Sequence, residues 1–256
     1  MSEGQETFIS HLVELRDRLL RAIVAIVLVF GCLMPWAGSI YDLLAQPMLR
    51  ALPEGTRMIA TGVVTPFFVP VKVTLMVAFV LALPVVLYQA WAFVAPGLYA
   101  HEKRLALPMV LGGTVLFLLG MAFCYFFVFG TVFKFIAEFA PKSITPAPDI
   151  EQYLAFVMTM FLAFGLTFEV PIVVILLVRF GVISVAKLRE ARPYVIVGAF
   201  VIAAVITPPD VVSQFMLAVP MCLLFELGLF LASLMRRSPS ETWQPTEPSI
   251  GPPSGD

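Results

Sequence analysis

The chain has 256 residues, of which 60% are hydrophobic and only 13% charged, with a mean hydropathy of +0.97. Soluble domains carry about 45–50% apolar and about 25% charged residues, so this chain cannot cover its own surface with water-compatible groups and its solvent is lipid. With 16 Lys+Arg against 17 Asp+Glu the net charge is −1, which argues against a nucleic-acid binder or a polybasic membrane-surface protein.

The amino-terminal segment carries Glu3, Glu6, Glu14 and Asp17 beside Arg16, Arg18 and Arg21. The apolar run behind it is too long for a signal-peptide core, so the first span is expected to stay in the mature protein. Phe8, Leu12, Leu15 and Leu19 recur at helical spacing and predict an apolar stripe on a helix lying along or entering the membrane, with Glu14 off that stripe. No charge falls between Arg21 and Asp42, between Lys72 and Glu102, or between Arg104 and Lys134. A helix crosses a hydrocarbon core of about 30 Å in about 20 residues, so these gaps predict spans at about 22–41, 71–94 and 107–133. The first outer loop, 37–66, holds a short amphipathic piece (Ile40, Leu43, Leu44, Pro47, Met48) expected at the interface. The loop 139–150 carries Pro141, Pro146 and Pro148 and is expected to be structured.

A fourth span, 153–178, is interrupted only by Glu169; a fifth, 194–206, is bounded by Pro193 and by Pro208-Pro209; a sixth, 215–234, contains Glu226. The expected fold is an all-α integral membrane protein with six transmembrane helices in one domain, 1–235. The Pro/Ser/Glu-rich stretch 236–256 is expected to be a disordered cytoplasmic tail. An alternative treats 194–234 as a re-entrant hairpin, because a helix over 194–206 rises only about 20 Å. The polar turn Thr207-Pro208-Pro209-Asp210 would be costly inside lipid, which favours two short spans. Placing the N-terminus in the cytoplasm puts eleven of the 16 cations on that side and leaves Arg50, Arg57, Lys72, Lys134 and Lys142 outside. Both termini inside requires an even number of crossings, which agrees with six.

Cys32, Cys124 and Cys222 sit in apolar stretches without a C-x-x-C pair and read as small buried hydrophobes. His101-Glu102 lacks the second histidine of a zincin, and neither a G-x-S-x-G elbow nor a G-x-x-x-x-G-K loop occurs. No cofactor or metal site is expected, and an intramembrane protease built on Glu169 and Glu226 is a minor alternative. Glu169 lies about 15 Å from the cytoplasmic end of its helix, at a depth where a charge costs a few kcal/mol. Pro171 removes the N–H that the Thr167 carbonyl would accept. Two readings stand: a carboxyl group hydrogen-bonded to a neighbouring helix as packing glue, or the wall of a water-accessible groove used by a substrate or partner. Glu226 reads as structural. Glu14 is either the partner of Arg18 in an i,i+4 ion pair or one arm of a site. Glu102 is either a dipole-complementing first-turn acid or the second arm. An incoming arginine pair would engage two separated carboxylates through bidentate hydrogen bonds.

The run His11-Leu12-Val13-Glu14-Leu15-Arg16, the loop from Pro47 to Phe68 with Met58-Ile59-Ala60-Thr61, and the stretch from Gln89 through Trp91 and Pro96-Gly97-Leu98-Tyr99 to His101-Glu102 resemble the TatC family of the twin-arginine protein translocase. Phe168-Glu169-Val170-Pro171 and the stretch from Arg192-Pro193-Tyr194 to Thr207-Pro208-Pro209-Asp210 carry the same likeness, which runs to about Leu234. The resemblance implies a glove-shaped receptor in the bacterial cytoplasmic membrane. It would bind the paired arginines of signal peptides on folded cargo, join TatA and TatB in an oligomeric receptor complex, and support transport driven by the proton gradient. By the same likeness Glu14 and Glu102 would contact the arginine pair, with Arg16 and Phe93 on the same surface. Pro47, Glu169, Asp210 and Gln214 would serve the outer loops, the concave face and partner docking. The short fifth and sixth spans suggest a dock for a single-span partner, with Ala199 and Ala203 allowing close approach and Gln214 bonding across. Two other classes remain open: a proton-coupled small-solute transporter using Glu169, which lacks a matching broken helix in the first half, and a structural scaffold for other membrane proteins.

Overall fold

The computed structural model describes residues 3–51, 58–94, 103–139, 147–207 and 210–234. Helix α1 (Glu3–Leu33) passes through a 3-10 turn (Met34–Trp36) into α2 (Ala37–Ala51). Pro35 causes the change of pitch, since it brings no N–H to the α ladder and its ring crowds the carbonyl four residues back. The expected amino-terminal stripe is therefore the start of the first long helix, and Leu12, Leu15 and Leu19 all face outward. Cys32 is exposed on the same helix, against the expectation of burial, whereas Cys124 is buried and Cys222 half-buried.

Helices α3 (Thr65–Leu81) and α4 (Leu83–Val94) come next, bent by 60° at Ala82. The stretch expected to span over 71–94 carries this bend, and its helix starts at Thr65. Pro84 denies the Val80 carbonyl its donor and forces the chain off axis, while the Ala82 N–H closes α3 on the Ala78 carbonyl. Helix α5 (Lys103–Phe123) widens into a π turn (Cys124–Val128) and continues as α6 (Phe129–Phe139). Helix α7 (Ile150–Arg179) runs unbroken through Pro171. After the short α8 (Val185–Glu190), α9 (Arg192–Ile206) and α10 (Val211–Leu234) form the last pair.

Among the described residues four stretches are long and apolar enough to cross a membrane: Ser10–Arg50, Leu107–Ile136, Ile150–Arg179 and Val211–Leu234. The bent α3–α4 pair makes a fifth if it is one span. Helix α9 has 15 residues, short of the about 20 that a crossing needs.

Helix α7 is the axis of the fold, packed by α5, α10 and α3. Its contact with α5 is backbone-close: a Cβ on Gly120 would stand 2.5 Å from the Phe164 carbonyl oxygen, so only glycine allows that approach. The main core joins Phe129, Phe133, Tyr153, Phe161 and Phe164 to Leu217, Ala218, Ala199 and Ala203. Ile40, Tyr41 and Leu44 of α2 pack against Val69, Val73 and Leu154, so the piece expected at the interface buries one side against protein. Outside the helices, Ile59 pairs with the strand-like turn before α7: its N–H donates to the Pro148 carbonyl at 3.0 Å and its carbonyl accepts from Ile150 N–H at 2.9 Å.

Candidate functional site

The amino-terminal half of α1 carries the acidic group that the sequence singles out. Glu14 accepts from Arg18 Nε at 2.9 Å and Nη2 at 2.5 Å, both on Oε1, so the i,i+4 ion pair is formed. About three turns of the same helix make a recess of about 330 Å³ lined by Ser10, Val13, Glu14, Asp17, Arg18 and Arg21. Arg16 turns away and pairs with Asp17 at 2.9 Å, with its side chain 66% exposed. His11 stacks on Phe93, ring centroids 4.5 Å apart, which seats α1 on the end of α4. Phe93 thus belongs to the same end of the molecule as Glu14. Glu102, the other expected carboxylate, lies outside the described residues.

A second acidic group lies deep in α7. Glu169 is 6% exposed, and among the described residues neither carboxylate oxygen accepts a hydrogen bond. It faces Gly113 of α5, where an added Cβ would lie 3.0 Å from both oxygens. The cross-helix hydrogen bond that packing glue would require is absent among the described residues. The Thr167 hydroxyl nearby is also buried without a partner among the described residues. Burying a carboxyl without a donor is costly when it is charged, and a glycine across the helix pair gives the group room that any larger side chain would take.

The remaining expected residues gather on α2 and the last pair. Pro47 is inside α2, half-buried. Asp210 stands just before α10, where Oδ1 accepts from Ser213 N–H at 2.7 Å and Oδ2 is buried without a partner among the described residues. Gln214 donates through Nε2 to the Phe200 carbonyl at 3.2 Å, closing the α9–α10 pair within the chain. Ala199 and Ala203 are 2% and 0% exposed and pack into the chain's own core. Their small size therefore serves the packing of α9 on its neighbours, and the outward face of α9 is Val197, Val201 and Val205. Glu226 is engaged by Arg192 Nη2 at 2.6 Å. Among the described residues no group of His, Cys, Asp and Glu could hold a metal ion.

One constellation escapes a reading of local pattern. Asp149 accepts from Glu151 and Gln152 N–H on Oδ1 at 2.8 and 3.1 Å, capping α7. Its Oδ2 takes the Thr61 hydroxyl at 2.6 Å and the Thr61 N–H at 3.2 Å. The Thr61 hydroxyl first, then these backbone donors, hold the carboxyl below its ordinary range. Beside it Lys72 pairs with Glu151 at 2.7 Å. An acid followed by an apolar helix is a cap signal, but nothing in that signal names Thr61.

A family model described as Sec-independent protein translocase protein (TatC) matches residues 10–220. The chain is 50% identical to the Sec-independent protein translocase protein TatC of Azotobacter chroococcum mcd 1 over 96% of this chain and 98% of that one. It is also 50% identical to the protein of that name from Escherichia coli (strain K12), over 90% and 89% of the two chains. A crystal structure of the twin-arginine translocase receptor TatC, 41% identical, superposes with a TM-score of 0.77 over 88% of this chain and 98% of that one.

Proposed function

Because the chain belongs to the TatC family of Sec-independent protein translocase proteins, we propose that it binds the paired arginines of twin-arginine signal peptides through Glu14 and Glu102 on its cytoplasmic face. It is an integral inner-membrane protein and a translocase component, not an enzyme, which displaces the solute-transporter and protease alternatives. With TatA and TatB it passes folded cargo across that membrane, driven by the proton gradient, from an oligomeric receptor complex.

The observation that carries the reading is the bonding of Glu14. Arg18 meets Oε1 alone, a same-helix pair of a few tenths of a kcal/mol. A guanidinium that brought bidentate geometry and left water on binding would displace it. Arg16 is held by Asp17, so its cation does not stand against the incoming pair. The His11–Phe93 stack ties α1 to the helix whose chain leads toward Glu102.

Glu14→Gln with Glu102→Gln should weaken crosslinking of a twin-arginine signal peptide at least tenfold, since amides keep the shape and lose the charge-assisted bonds. Each single change should have a smaller effect, with the amount of inserted protein unchanged. Undiminished crosslinking in the double variant overturns this site.

The chain crosses six times with both ends in the cytoplasm, α3–α4 counting as one bent span and α9 as a short one. The cation asymmetry supports this. A single-span partner packs along the outward face of α9, a reading supported by its exposed Val197, Val201 and Val205 and by its lack of length. Photocrosslinkers at Val201 and Val205 should capture TatB or TatA in the assembled complex; capture of lipid alone assigns the dock elsewhere.

A further inference from the structure

Pro47 lies inside α2 and has no N–H, so the Leu43 carbonyl has no donor four residues on, and the pyrrolidine ring crowds that carbonyl. A helix so broken exposes acceptors that must be met elsewhere. The Leu43 carbonyl accepts the Tyr125 hydroxyl at 3.1 Å, and the next carbonyl, Leu44, accepts the Tyr153 hydroxyl at 2.9 Å. The two donors come from different elements. Tyr125 is on the π turn between α5 and α6, and Tyr153 is in the first turn of α7.

Both rings are backed by aromatic neighbours. Tyr125 stacks on Phe161 at 6.5 Å, and Tyr153 tilts against Phe133 at 5.7 Å. The π turn contributes as well. A π turn takes one residue more than an α turn and so shifts the facing of the helix beyond it. Cys124 and Val128 are fully buried, while Phe126 and Phe127 point outward. Tyr125, half-buried between these two sets, reaches α2.

We propose that Pro47 opens the Leu43 carbonyl of α2, that Tyr125 is the positioning residue that reads it, and that Tyr153, on the Leu44 carbonyl beside it, completes the seat of α2 on the middle of the fold. Chance contacts would act independently of the proline. A clasp that exists because the proline frees the Leu43 carbonyl is coupled to it. Where residue 47 has an N–H, the helix satisfies the Leu43 carbonyl itself and the Tyr125 hydroxyl loses its purpose. The Leu44 carbonyl has Met48 N–H four residues on in either background, so the Tyr153 bond adds little there.

The test is hydrogen exchange of the α2 amides in the full chain in lipid nanodiscs, comparing Tyr125→Phe with Tyr153→Phe together, Pro47→Ala, and the triple variant. Phenylalanine keeps the packed rings, and each single Tyr→Phe change is measured beside the pair. In the Pro47 background the pair should speed α2 exchange about tenfold or more, the scale of one to two lost hydrogen bonds. In the Pro47→Ala background the same pair should change it less than about threefold. Equal acceleration in both backgrounds, none in either, or acceleration spread equally over α10 overturns the proposal. As the second readout, the paired Tyr→Phe variant should lose export of a twin-arginine reporter several-fold while keeping signal-peptide crosslinking. Loss of both, or of neither, refutes the positioning role. That arm rests on the function proposed above, and the exchange arm does not. A parent chain that exports no reporter would sink the function and leave the clasp to be decided by exchange.

Discussion

At Glu169 the geometry sets a steric limit that can be measured. A Cβ added at Gly113 meets both carboxylate oxygens at 3.0 Å and Leu87 Cδ1 at 3.2 Å. Gly113→Ala gains up to about 1 kcal/mol of helix propensity but overpacks a closed contact, which costs about 1–3 kcal/mol. A net loss is expected, seen as a lower thermal midpoint in detergent. Gly130→Ala, where no heavy atom lies within 4 Å of the added carbon, should lower nothing. A second prediction concerns Asp149, whose carboxyl is held below its ordinary range by Thr61 and the α7 amides. A depressed folded value means that the contribution is fully present above the unfolded value near 4 and is lost as the pH falls through the folded one. Limited proteolysis around Thr61 should therefore be flat from pH 8 to about pH 5 and accelerate only below about pH 4. Asp149→Asn should flatten that acid response, because no proton is then taken up at the position.

Among the elements, the bend at Ala82 is the most direct consequence of a single atom group. Pro84→Ala restores the N–H for the Val80 carbonyl and removes the ring, so α3 and α4 should approach one continuous helix and lose most of the 60° bend. Spin labels on Phe67, near the start of α3, and on Tyr88, in the middle of α4, should move apart by several ångströms; an unchanged distance would mean that packing, not the proline, holds the bend. The same element shows why hydropathy reads some features and misses others. Transfer energy registers the apolar run over 71–94 but is indifferent to whether each backbone N–H exists, so counting charges finds a span there and not its break. The long runs of α5, α7 and α10 were legible because length and apolarity are what make them helices in lipid. The i,i+4 pair of Glu14 with Arg18 was legible for the same local reason. The inward turn of Ala199 and Ala203 was not, since it depends on which side of α9 meets its neighbours, a fact held by those neighbours. Nor was Asp149 with Thr61, whose partners are 88 positions apart.

For the whole molecule, the mismatch of α9 sets an expectation about the bilayer. At 15 residues it rises about 22 Å, against a core of about 30 Å. The membrane should thin beside the α9–α10 pair unless a partner covers it, and thicker-chain lipids should destabilise the chain without its partners more than the assembled complex. If the chain crosses six times, a cysteine beside Pro209 should react with an impermeant reagent only from the outer side; reaction only from the cytoplasm favours the re-entrant alternative. With six crossings, Ile59 and Thr61 pair with Asp149 on the outer side, and that placement also orders events in time. While the chain emerges N-terminus first, the segment around Ile59 is outside long before α7 exists, and closing so wide a loop is among the slowest contacts a chain can make. Until α7 is in the membrane, its donors and acceptors have only water as a partner. That pairing is thus a molecular timestamp: nascent chains stalled before α7 should be cut readily near Ile59, and chains released after it should resist.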